Sequence, residues 1–144
     1  KQAIFRNPFF AHIARTAQYI ENADSEALID QCVTRIKSGH SLLLFPEGTR
    51  SPIGALRRFN RGAAHVAIRS GADILPVVIR FSPPALLKGQ PWYRIPERKI
   101  AVEFEFQEPV RTVELVANAP SSSVAARRLT TFLESHFSSS LFSH

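Results

Sequence analysis

Among the side chains of this sequence able to do chemistry, the densest group is Phe45-Pro46-Glu47-Gly48-Thr49-Arg50-Ser51 together with the arginines that follow it, Arg57, Arg58 and Arg61 around Phe59-Asn60. A guanidinium is permanently charged and presents a planar fork of donors, which suits a phosphate or a carboxylate. Gly48 lets the backbone approach such a ligand closely. Glu47 either orients Arg50 or accepts a hydrogen bond from a substrate hydroxyl. At helical spacing Arg61, His65 and Arg69 fall on one stripe that begins at a helix N-terminus, where free N–H groups already attract anions. The same charges would also suit a plain solvated face. Their position after an apolar run and ahead of a helix favours an anion site at Gly48 and Arg50, with Arg57, Arg58 and Arg61 around it and Glu47 as its acidic member.

The remaining reactive residues point elsewhere. The histidines His12, His40, His65, His136 and His144 have no metal-ligand spacing, and no metal site is expected. Cys32 sits in the apolar stripe of a helix and reads as a small core residue rather than a nucleophile. No glycine pattern matches a phosphate-binding loop of the nucleotide-binding kind.

The elements that must position the basic loop follow from periodicity. Asn7-Pro8 resembles a cap followed by proline at the first helical position, which predicts a helix from Pro8 to about Arg15 with Phe9, Phe10 and Ile13 turned inward. Tyr19 and Ile20 suggest a short strand. Asp24 can cap a second helix in which Leu28, Ile29, Cys32, Val33 and Ile36 recur at helical spacing before Gly39 stops it. Ser41 to Phe45 reads as a buried strand ending at Pro46, the edge where open α/β sheets gather their chemistry. About fifteen residues then pass without a period, a length more typical of a functional loop than of a connector. Arg61 to Ser70 resumes as helix, stopped by Gly71, and Asp73 to Arg80 is a strand in which Pro76 implies an edge or a bulge. Leu86, Leu87, Trp92 and Tyr93 lie in a proline-rich excursion. Ile100, Val102, Phe104 and Phe106 alternate with polar residues, as in a strand buried on one side. Pro120 to Ser123 leads into a last helix, Val124 to about Phe137, with 138–144 expected to fray. The class is α/β: one domain over residues 1–144, built on a mixed, mainly parallel sheet flanked by helices and truncated at its N-terminus.

Composition sets the outer bounds. The chain has 144 residues, 44% apolar and 21% charged, enough for a core of its own. A net charge of +6 and a pI of about 10.2 favour anionic partners, whether lipid headgroups, acidic carrier proteins, coenzyme phosphates or nucleic acid. One cysteine excludes an internal disulfide, and no apolar run approaches the roughly 20 residues of a membrane-spanning helix. With no methionine in the sequence, Lys1 is not expected to be a natural start, and an upstream segment is anticipated.

These motifs have a family counterpart. Over roughly Lys1 to Val110 the chain resembles the glycerophospholipid acyltransferases of the lysophosphatidic acid (1-acylglycerol-3-phosphate) acyltransferase type. The resemblance rests on FPEGTRS at Phe45 to Ser51, on Phe59-Asn60-Arg61-Gly62-Ala63-Ala64, and on Ile74-Leu75-Pro76-Val77. It implies that the Glu-Gly-Thr-Arg element binds the acyl acceptor through its phosphate, with Arg50 as the principal contact and Glu47, Gly48 and Thr49 in support. It also implies a cofactor-free reaction in which acyl-coenzyme A or an acyl carrier protein is co-substrate and a lysophospholipid is acceptor, at the cytoplasmic face of a membrane, peripherally or through an N-terminal anchor. The chain departs from the family in two respects. Its catalytic His and Asp, separated by four residues, are absent, since none of the five histidines here has an Asp five positions later; they are expected upstream. Thr16 and Asn22 stand where the family commonly has a Gly and an acceptor-binding Arg, so a lysolipid with a different headgroup is an alternative acceptor. A non-catalytic module binding anionic lipid is the competing reading, and nucleic-acid binding ranks last for want of any such motif.

Overall fold

The computed structural model describes residues 8–17, 19–20, 26–49, 52, 55–85 and 96–142. The chain divides into two compact units, Lys1–Leu43 and Leu44–His144.

In the first unit, helix α1 spans Pro8–Thr16, with Pro8 in its first turn where a missing N–H is harmless. Among its described side chains Ala11 and Ala14 are buried and Ile13, expected inward, is exposed; the side chains of Phe9 and Phe10 lie outside the described ones. The expected cap Asn7 lies outside the described residues. Tyr19 and Ile20 form no strand; the Tyr19 amide instead donates to the Ala14 carbonyl at 2.9 Å and finishes the helix end. Helix α2, Glu26–Lys37, matches its periodic pattern and buries Cys32 and Val33; its cap candidate, Asp24, is outside the described residues. The end of α2 is set by glycine. At Gly39, φ is +87°, the Gly39 amide bonds the Ile36 carbonyl at 2.9 Å, and the His40 amide bonds that of Arg35 at 3.1 Å, the paired closure of a Schellman motif.

The second unit contains helix α3 (Gly62–Ser70), strands β1 (Val77–Ser82) and β2 (Ala101–Phe106), helix α4 (Thr112–Val116) and helix α5 (Ser122–Phe142). Its core joins Phe59, Ala64, Ala67, Val110, Ala126, Leu129 and Leu133, with Leu56, Ile74 and Phe137 packed against it. Ala64 and Ala126 are essentially inaccessible, which lets α3 and α5 approach closely. The α4 helix has no counterpart in the sequence reading, since five residues are too few to show a helical period.

The sheet differs from expectation. Among the described residues it has two strands, paired antiparallel from Val77 opposite Phe106 to Ser82 opposite Ala101, and no parallel pair. Pro76 explains why β1 starts later than the apolar pattern: it has no N–H to give, so the ladder opens at Val77, and Ile74 is left in an isolated bridge to Val110. Residues 41–45 are described but form no strand, and Leu43 and Phe45 are exposed. Among the described residues no strand runs beside this segment, and an apolar run alone forms no ladder.

Side-chain alternation in β2 is real, yet its apolar side is open. Val77, Ile79 and Phe81 share a face with Val102, Phe104 and Phe106, and the last two are 57% and 68% exposed. The opposite face carries buried Val78 and the Arg80–Glu105 ion pair. From that pair Arg80 donates to the Ser140 carbonyl at 2.8 Å, and Gln107 Nε2 donates to Ser140 Oγ at 2.6 Å. These bonds fasten the end of α5, so residues 138–142 are helical where the sequence suggests a frayed tail.

Candidate functional site

The motif begins as a tight turn. The Gly48 amide donates to the Phe45 carbonyl at 3.1 Å, with Pro46 at the second position and Gly48 at the fourth, the residue preferences of a type I turn. Gly48 itself has φ +66°, a left-handed conformation that a side chain resists. A Cβ at that position would also lie 2.7 Å from Asn60 Nδ2, the end of an exposed side chain that would have to move.

A second segment holds the turn from behind. The Asn60 amide donates to the Pro46 carbonyl at 2.8 Å, which closes the long loop at its base. Phe59 is buried and meets Phe137 edge to face, with ring centroids 5.7 Å apart. Its amide donates to Glu134 Oε1 of α5 at 2.7 Å. Leu56 and Phe59 are both held by the core, and Arg57 and Arg58 are exposed between them. The apolar anchors thus pin the chain while the guanidinium groups face outward.

Glu47 is half-buried, and removal from water pushes its carboxyl up; the Arg57 guanidinium pulls it partly back. Thr49 is half-buried next to it. Arg61 precedes α3 as its cap, with no side-chain capping bond, and is exposed, as is Arg58. Arg50 and Ser51 lie outside the described residues. Glu47, Gly48 and Thr49 are therefore brought together on one pinned turn, with Arg57 acting on Glu47 and with Arg58 and Arg61 on the segment that closes the loop.

The sequence reading misses three contributors: Arg57, grouped with the basic cluster but not with the site; Asn60, visible only as part of a family motif; and Glu134, distant in sequence. The adjacency of Arg57 to Arg58 offers a hint, whereas nothing in local spacing marks Glu134. Cys32 is buried, and burial pushes its thiol up, away from the reactive thiolate. Among the described residues no three His, Cys, Asp or Glu side chains gather to hold a metal, and no helix is long and apolar enough to cross a membrane.

Comparison with known proteins decides the family. The acyltransferase family model matches residues 1–80, more than half of the chain. The chain belongs to the acyltransferase family. Its relatives are of the 1-acylglycerol-3-phosphate type that FPEGTRS implies. A 1-acyl-sn-glycerol-3-phosphate acyltransferase of Pseudomonas aeruginosa is 42% identical over 48 residues, 33% of this chain and 18% of that protein. One of Cocos nucifera is 34% identical over 85 residues, 55% of this chain and 28% of that protein. A chloroplastic one of Arabidopsis thaliana is 35% identical over 63 residues, 42% of this chain and 18% of that protein. The chain thus spans less than a third of the length of these acyltransferase relatives. No solved structure matches it.

Proposed function

We propose that this chain carries the acceptor-binding part of an enzyme that moves a fatty acyl group from a thioester, acyl-coenzyme A or acyl carrier protein, to the hydroxyl of a lysophospholipid. The observation that carries this reading is the turn of residues 45–48 that opens the FPEGTRS motif, pinned under Asn60 with Arg57 acting on Glu47, in a chain of the acyltransferase family. The named activity of the relatives makes 1-acylglycerol-3-phosphate the first candidate acceptor. In this reading Arg50 grips the acceptor phosphate with its fork, supported by Ser51, Arg58 and Arg61, and Glu47 orients Arg50 or the acceptor hydroxyl.

The acceptor oxygen attacks the thioester carbonyl, the carbon–sulfur bond breaks, and the hydroxyl proton ends on the departing thiol. A general base must take that proton first, and the His and Asp for this step are expected outside the chain. In the complete protein, residues 42–45 would enter a mainly parallel sheet with the turn at its edge; the exposure of Leu43 and Phe45 supports this. The net charge of +6 supports work at an anionic membrane surface, on its cytoplasmic side.

A second reading, a lipid-binding module without catalysis, is favoured by one observation: no histidine in the chain is followed by Asp at the family spacing. Kinetics of the complete protein separate the two. Arg50→Lys keeps the charge and loses the fork, and should raise the acceptor KM about 10- to 100-fold while leaving the donor KM in place. An unchanged acceptor KM removes Arg50 from the role, and absence of acyl transfer by the unaltered complete protein favours the binding module.

A further inference from the structure

We propose that Glu134, on the last helix, is a positioning residue for the acceptor loop. The inference rests on the acyltransferase reading and adds to it a residue far from the motif in sequence.

The link is a short relay of named bonds. Glu134 Oε1 accepts from the Phe59 amide at 2.7 Å across 75 residues of chain. The next amide, that of Asn60, donates to the Pro46 carbonyl at 2.8 Å, and Pro46 is the second residue of the turn that presents Glu47 and Gly48. The Glu134 bond and the bond that fixes the turn are therefore made by consecutive peptide units, joined at the Phe59 Cα. On its other side, Phe59 is followed backward along the chain by Arg58 and by Arg57, whose charge acts on Glu47. A carboxylate holding the Phe59 amide thus sets both the turn and the guanidinium beside it.

The support is rigid enough for this task. Leu129 and Leu133 of α5 are buried in the core, and Phe137, three residues beyond Glu134, packs on the Phe59 ring. Phe59 is accordingly held twice by α5, by its ring through Phe137 and by its amide through Glu134. The ring contact fixes where the residue sits, while the amide bond fixes the rotation of the peptide planes that follow it. The rotation is what the Pro46 carbonyl reads.

Amide-to-carboxylate bonds are stronger than amide-to-amide ones, and the glutamine side chain retains an acceptor oxygen in the same place. This gives the test. In the complete protein, Glu134→Ala should raise the acceptor KM about tenfold with the donor KM unchanged, and Glu134→Gln should stay within about threefold of the parent. Hydrogen exchange, read in parallel on the same variants, should show the Phe59 and Asn60 amides exchanging about tenfold faster in Glu134→Ala and near the parent rate in Glu134→Gln. Equal effects of the two substitutions, a matching rise in donor KM, or unchanged exchange at residues 59 and 60 would overturn the proposal. Should the complete protein show no acyl transfer, the functional reading fails by itself, and exchange at these two amides still decides whether Glu134 holds the loop.

Discussion

Replacing Gly48 by alanine separates two reasons for glycine in the motif turn. At φ +66° a side chain costs about 1–2 kcal/mol. Alanine also restricts the unfolded chain, which offsets about 0.5 kcal/mol of that. The second reason is contact, because the new Cβ would lie 2.7 Å from Asn60 Nδ2. That atom ends an exposed side chain that can swing aside, so the contact is the smaller part. The expected net loss is about 1 kcal/mol, read from urea unfolding at an unchanged slope. Gly48→Asn should lose less, since asparagine tolerates the left-handed region better. Removing Asn60's side chain as well, in Gly48→Ala with Asn60→Ala, should recover less than half of the loss. Full recovery in that double variant would refute the reasoning, because the neighbour and not the backbone would then set the cost.

Three further outcomes follow from the electrostatics and the hydrogen bonds. Burial raises the Glu47 carboxyl above its unfolded value, so its contribution to stability is full below the unfolded pKa and is lost as pH rises through the folded one. Glu47→Gln should therefore be at least as stable as the parent at neutral pH, with the advantage fading in acid, while Arg57→Gln should move the Glu47 titration higher; midpoints across pH and carboxyl NMR check both, and a less stable Glu47→Gln at neutral pH contradicts them. Arg80→Ala removes the Glu105 partner and the bond to the Ser140 carbonyl, both partly exposed, and should cost about 1 kcal/mol with faster amide exchange confined to residues 138–142. Exchange rising throughout α5 would show that the tail is not held locally.

The helices are the legible part of this sequence. Leu28, Ile29, Cys32, Val33 and Ile36 announce α2 by spacing alone, and Gly39 and Gly71 mark helix ends because the left-handed closure needs glycine. Strands are less so, since pairing is a property of two segments. Alternation along β2 gives the correct faces but not which face is covered, and Phe104 and Phe106 lie on the open one. Pro76 shifts β1 by removing a donor, a local effect visible in the sequence but not its consequence for register. The turn of the candidate site is written in Pro46 and Gly48. Its backing by Asn60 and Glu134 is not, because backbone amides at residues 59 and 60 leave no trace in side-chain pattern.

The bond from the Asn60 amide to the Pro46 carbonyl makes the loop between them a closed ring whose two ends stay put whatever its contents. Lengthening such a ring is inexpensive, about 0.6 kcal/mol for each doubling. Insertions and exchanges between Thr49 and Leu56 can therefore accumulate without disturbing α3 or the core. On the proposed function, the contacts that choose a headgroup would lie in this one short stretch of coding sequence, so selection could rewrite them with the remainder of the gene left as it stands.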